Sequence, residues 1–241
     1  MKNPYKTALY RPILGESSAK TVKGEKIGYL TGILYLQPSE RVCPFALKAG
    51  CLHPCLNTAG RGIFSAVQAA RKAKTEHFFA HQREFMLALA ADVWTLQRRA
   101  TKLGMIPLVR LNGTSDILWE SIKLDGLNIF EMFPNVQFYD YTKHPRRNVA
   151  RFKNYDLTYS FSGLTPESIT LKGVTKPGAR VAVVFHKRSE IPDTFRGWTV
   201  IDGDNTDVRH IDPIGVVVAL YAKGKAKTDT GGFVQRAGIN Y

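Results

Sequence analysis

The apolar and polar positions of this chain fall into strand-like runs separated by a few helical stretches. From Lys26 the run KIGYLTGILYLQP is rich in β-branched and aromatic residues and predicts a strand. After Gly60 and Gly62 an Ala-rich stretch, IFSAVQAARKAK, predicts a short helix. The longest helical signal covers residues 78–103, where Phe85, Leu89, Val93 and Leu96 recur at helical spacing and Gly104 supplies a stop. Further apolar runs follow at IPLVRL, VQFYDYT, LTYSFS, RVAVVFH, WTVID and GVVVALYA, with helices expected around residues 117–124 and 146–152.

Strands alternating with helices imply βα units and a parallel sheet. Six or seven such units predict a single α/β domain over residues 27–241, shaped as a full or partial parallel (β/α) barrel. Residues 1–26 are polar and basic and read as an extended N-terminal arm. The spacers after Ser162 are short and rich in Gly and Pro, so the last third is expected to depart from regular repetition. In a parallel sheet the functional face lies at the carboxyl ends of the strands. That rule gathers Arg110, Asn112 and Asp116, then Tyr139, Asp140, Tyr141, Thr142 and Lys143, then Ser160 and Ser162, His186 and Lys187, and Asp202 and Asp204. The first strand runs straight into the cysteines, which places them on the same face.

The chain has 241 residues, 44% of them hydrophobic, enough for a packed core. No segment approaches the roughly 18–20 unbroken apolar residues that a membrane span needs. The N-terminus lacks a secretory pattern, and with so few cysteines this points to a reducing cytoplasm. A formal charge of +14 is large. Basic groups recur at Arg71, Lys72 and Lys74, at Arg98, Arg99 and Lys102, at Arg146, Arg147, Arg151 and Lys153, and at Lys223, Lys225 and Lys227. Such an excess fits nucleic acid as a partner, and equally fits a soluble surface with an unspecific positive field.

The three cysteines, Cys43, Cys51 and Cys55, sit within thirteen residues in the run CPFALKAGCLHPC. An odd number of thiols on one loop fits a metal or cluster site. Three thiolates suit an iron–sulfur cluster, because each binds one iron and leaves another iron free for a different ligand. Zinc is the competing reading, with His53 as a fourth ligand, although structural zinc usually draws on a second pair of ligands. Unligated thiols are the third.

Other motifs are weaker. The segment DGDNTDVRHID carries Asp202, Asp204, Asp207 and Asp212 but lacks a calcium loop's sixth-position glycine and terminal Glu, so it reads as a surface turn with solvated carboxylates. No Walker-type loop, dinucleotide fingerprint or nucleophile elbow is present. His144, His186 and His210 titrate in the useful range, and His186, at a strand end, is the best placed. Arg110, Asn112, Asp116, Tyr139, Tyr141, Thr142 and Lys143 share its face as candidates for binding a polar ligand. The catalytic residues are not assigned by the sequence.

A cysteine loop directly after the first strand of a βα barrel resembles the radical S-adenosylmethionine enzymes, in which three cysteines bind a [4Fe–4S] cluster and the fourth iron chelates S-adenosylmethionine. The spacing here, seven residues then three, differs from that superfamily's three then two. A closer resemblance, over residues 40–165, is to a family of bacteriophage proteins, the gene product 88 type. It is carried by the cysteine loop, GRGIFSAVQAARKAK, VRLNGTSD, FYDYTKH and SFSG. The VRLNGTSD segment lacks the His-Asp-Ser-Gly-Asp run associated with that family. The resemblance implies an iron–sulfur protein made during phage infection, in the host cytoplasm, and no particular reaction. Two functional classes stand side by side. One is a redox or radical enzyme acting at an open iron, with S-adenosylmethionine as its candidate cofactor. The other is a non-enzymatic cluster protein that binds nucleic acid, or a phage or host partner, through its basic surface.

Overall fold

Every apolar run named above becomes a strand. A computed structural model of the chain describes residues 2–16, 19–145, 147–164 and 180–236. The first long run forms β2 (Tyr29–Leu34), preceded by a two-residue β1 (Leu14–Gly15) and α1 (Ala19–Glu25). Two helices follow the cysteine loop, α2 (Ser65–Ala80) and α3 (Gln82–Leu103). The remaining elements are β3 (Ile106–Arg110), α4 (Ile129–Met132), β4 (Gln137–Thr142), β5 (Tyr155–Ser160), β6 (Arg180–Phe185), β7 (Thr194–Phe195), β8 (Trp198–Asp202) and β9 (Val217–Tyr221).

These strands form one sheet in the order β1-β2-β3-β4-β5-β6-β9-β8-β7. The seven strands from β2 to β8 in that order are parallel. Only the edges are antiparallel: β1 on β2, and β7 on β8. The sheet is open, so of the full or partial barrel expected, the full barrel is corrected. Two short antiparallel strands occupy the edges that closure would have to join, which also shields them from pairing with other chains.

Side-chain alternation sets the two faces. One face, with Leu30, Val109, Phe138 and Tyr155, packs on Phe85, Leu89, Val93 and Leu96 of α3. The helical spacing seen in the sequence is therefore the core stripe, and each fully buried apolar side chain is worth about 1.5–3 kcal/mol. The opposite face carries Leu108 and Tyr139 against Val208, with Arg110 and Tyr141 further along the same register.

Helix expectations fared less well. The long helical signal is divided at His81, whose φ of −138° and ψ of 60° break the run without any Gly or Pro to mark it. Residues 117–124 hold only a 3-10 turn, Trp119–Ser121, and the described residues 147–152 form turns rather than a helix. Both segments are drawn inward by buried side chains: the Trp119 indole donates to Asn112 Oδ1 at 3.1 Å, and Arg147 pairs with Asp116 and Glu120. The arm expected to be extended contains β1 and α1. Arg146 and the Gly/Pro-rich spacer at 165–179 lie outside the described residues.

Candidate functional site

The loop after β2 is held by its own backbone. Cys43 N–H donates to Ser39 O at 2.9 Å, Cys51 N–H to Ala46 O at 3.0 Å, and Thr58 N–H to Cys55 O at 2.9 Å. It is tied to the other strand ends by Asp116 N–H to Val42 O (2.7 Å), Thr114 Oγ1 to Leu36 O (2.5 Å) and Ser162 Oγ to Ala49 O (2.7 Å). Gly113 permits this docking, since a Cβ there would sit 2.6 Å from Leu34 O.

The result is a cavity of about 150 Å³ lined by all three cysteines. Arg110, Asn112, Asp116, Tyr141, Thr142, Lys143 and Ser160, from the ends of β3, β4 and β5, complete its wall. The sequence-based face is therefore largely assembled. All three thiols are free of disulfides, and burial pushes each above its ordinary pKa. Among the described residues no group of three or more His, Cys, Asp or Glu side chains is arranged to hold a single metal ion. His53 is exposed and does not line the cavity.

Lys143 is a half-buried cation of this wall, which also holds the buried Arg110. Its ammonium donates to Ser160 O (2.7 Å), Ser160 Oγ (2.9 Å) and Phe161 O (3.0 Å), which uses all three of its protons. Burial lowers its pKa to about 8, while nearby Cys51, Asp116 and Cys43 oppose the fall. Asp116 accepts from Thr142 Oγ1 (2.8 Å), Lys143 N–H (2.7 Å) and Arg147 Nη1 (3.1 Å). Burial still leaves its pKa above the usual carboxylate range.

A second cavity, about 240 Å³, adjoins the first and shares Leu56, Arg110, Tyr141, Ser160 and Phe233 with it. Its polar end holds Lys23, Asp204, Asp207 and Lys223, and its floor holds Val184 and Leu220. Asp207 is buried and accepts from Arg110 Nη1 (3.1 Å), Tyr139 O–H (2.9 Å) and Tyr141 O–H (3.4 Å).

The whole of this arrangement lies inside one family match. A model of the family described as Gene product 88 matches residues 12–237. The chain belongs to the gene product 88 family. No curated protein and no solved structure matches it. The family match extends well beyond residues 40–165 and takes in both cavities. Among the described residues of this gene product 88 protein, no helix is long and apolar enough to cross a membrane.

Three expectations are corrected here. His186 lines neither cavity: its Nδ1 faces Glu190 at 3.4 Å and its Nε2 faces Lys227 O at 3.1 Å. Tyr139 lies behind the cavities, supporting Asp207. The carboxylates of DGDNTDVRHID are not a solvated turn: Asp207 is buried, Asp204 pairs with Lys223, Asp202 with Arg188, and Asp212 with Arg209. Sequence reasoning missed Asp207 as a site residue. The signal available was the excess of buried-type partners opposite it, an Arg and two Tyr at strand ends.

Beneath the site Asp140 accepts from Asn112 N–H (2.6 Å) and Tyr155 O–H (2.9 Å), and burial raises its pKa to about 7. A carboxyl that holds its proton more tightly when folded stabilises most below its unfolded pKa and loses that contribution as pH rises through the folded one. Asp140 should therefore make the protein less stable on going from about pH 4 to about pH 7. Urea unfolding of the native protein and Asp140→Asn at pH 5 and pH 8 checks this: the gap between the two proteins should shift in favour of the variant at pH 8. An unchanged gap would remove Asp140 as its source.

Proposed function

We propose that Cys43, Cys51 and Cys55 bind a [4Fe–4S] cluster whose remaining iron faces the strand-end cavity and takes a small-molecule ligand. The observation that carries this reading is the shared cavity: three desolvated thiols from one loop line the same space as the polar ends of three parallel strands. The donor set fits. A cluster asks each thiolate for a different iron, and all three thiols line one cavity. When bound, such a cluster supplies one-electron chemistry and a Lewis-acidic iron with an open position.

The chain's own residues serve that centre in distinct ways. Lys143 places a positive charge beside Cys43 and Cys51 and offsets the negative charge of thiolates that would otherwise be costly to bury. Asp116 ties Thr142 and the Lys143 backbone to the β3 end, which fixes where that charge sits. Arg110 and Tyr141 stand on the wall common to both cavities and present a cation and a phenol to whatever occupies them.

The finer reading, a radical enzyme using S-adenosylmethionine on a partial barrel, rests on the resemblance of the loop's position and on β2 to β6 lying in chain order. Iron and acid-labile sulfide analysis of anaerobically purified protein, with its EPR spectrum, tests the cluster. Iron near four atoms per chain is expected from the cluster type; zinc without iron would sink the proposal. Incubation with dithionite and S-adenosylmethionine then tests the enzyme reading, which fails if no 5′-deoxyadenosine forms and the EPR signal is unperturbed.

A further inference from the structure

Arg110 has donors to spare in a place where spare donors are expensive. Its residue is 6% exposed, and among the described residues its guanidinium makes one hydrogen bond, from Nη1 to Asp207 Oδ2 at 3.1 Å. Its Nε is buried with no partner. Leaving a buried N–H unpaired is costly, and more so when the group is charged. The Nε side of a guanidinium is also the edge that grips a carboxylate or phosphate with two parallel hydrogen bonds. The Tyr141 ring, 4.6 Å from the guanidinium carbon, holds the plane in place, and Asp207 fixes the opposite edge. The side chain is thus preorganised, and Arg110 lines both cavities.

The larger cavity supplies the rest of a binding site. Lys23 and Lys223 add positive charge near its rim, though both already serve Asp204. Val184, Leu220 and Phe233 give it an apolar floor. Asp207 is occupied by Arg110 and two tyrosines, so it is poorly placed to select a cationic ligand.

We infer that the 240 Å³ cavity binds a small organic anion, a carboxylate or a phosphate monoester, with its charged head on the Arg110 guanidinium and its apolar body on the Val184–Leu220 floor. The inference stands independently of the cluster, because it uses no cysteine and no metal.

The test uses the full chain as purified, titrated calorimetrically with benzoate and phenyl phosphate, and with benzamide as the neutral analogue. At least one anion should bind about tenfold or more tighter than benzamide, the span of one good charge-assisted contact. The tighter of the two anions tells carboxylate from phosphate. Arg110→Lys, which retains a charge for Asp207 but loses the fork, should weaken that anion about tenfold. Val184→Phe, which fills the floor and leaves Arg110 intact, should weaken it as well and keeps the test open if the first variant fails to fold. Equal binding of benzamide overturns the inference, as does unaltered binding in both variants. Loss of all binding at roughly 0.5 M salt, where surface charges are screened within a few ångström, also overturns it. Metal content, measured on the same samples, reports separately on the cluster.

Discussion

Replacing Arg147 with alanine is expected to cost about 3–5 kcal/mol of folding stability, the penalty for removing one partner of a buried ion pair. The side chain is 1% exposed and bridges two carboxylates, with Nη1 3.1 Å from Asp116 and Nη2 2.7 Å from Glu120. Nε reaches the other Glu120 oxygen at 2.9 Å, and Nη2 also donates to the Tyr155 hydroxyl at 2.7 Å. Alanine would leave Asp116 and Glu120 facing each other without their shared cation. Asp116 would then lose the charge that opposes its burial, and its pKa would rise further. Because Asp116 also holds Thr142 and Lys143, the damage should reach the cysteine cavity. Urea unfolding at neutral pH measures the cost. A companion variant, Arg147→Ala with Glu120→Gln, should recover part of the loss by removing one stranded charge. A single-variant cost below about 1 kcal/mol would show that the pair is solvated and falls in the range of surface bridges.

Arg147 also illustrates what was legible in the sequence. Its neighbourhood of basic residues, at 146–153, reads as a surface patch, and nothing local tells a solvated arginine from a buried one. The difference is set by Asp116 and Glu120, some thirty residues away. The same holds for Arg71, Arg110, Arg180 and Arg209, all buried. Arg110, Arg147, Arg180 and Arg209 are paired with carboxylates and cancel internally, so the formal excess of +14 stays with the other basic groups.

Strands were legible because central parallel strands must be apolar on both faces, and that composition is local. Whether the sheet closes was not, because closure depends on what sits at its edges. The short strands Leu14–Gly15 and Thr194–Phe195 have no compositional mark. The helix at 117–124 failed for a related reason: the Trp119 indole is drawn to Asn112 Oδ1 in a tight turn, a contact that nothing local marks. The cysteine site was the most legible feature, since the rule that loops gather at the carboxyl ends of parallel strands needs only strand direction. It placed Arg110, Tyr141 and Lys143 beside the cysteines. It also placed His186 there, wrongly, because β6 lies farther along the sheet and its end turns toward the 3-10 segment Arg188–Glu190.

On the proposed cluster, substituting any one of the three cysteines with alanine should remove most of its iron while leaving the fold intact. Each thiol is half-buried, so the loss of packing is small compared with the loss of a ligand. Without metal the thiols have little use for their position: burial favours the protonated form, and the Lys143 charge beside Cys43 and Cys51 is only partly compensated. Metal binding would convert that cost into stability, because any group that binds only the folded chain stabilises it by mass action. The native protein should accordingly unfold at a higher temperature than the Cys43→Ala, Cys51→Ala and Cys55→Ala variants, and a chelator should narrow the gap. His53→Ala is the discriminating control. His53 lies outside the cavity, so its removal should leave iron content and melting temperature unchanged. If His53→Ala instead loses metal together with the cysteine variants, and that metal is zinc, the loop is a zinc site closed by a rearrangement of residue 53. If the cysteine variants melt as the native protein does and carry the same metal, the three thiols hold nothing.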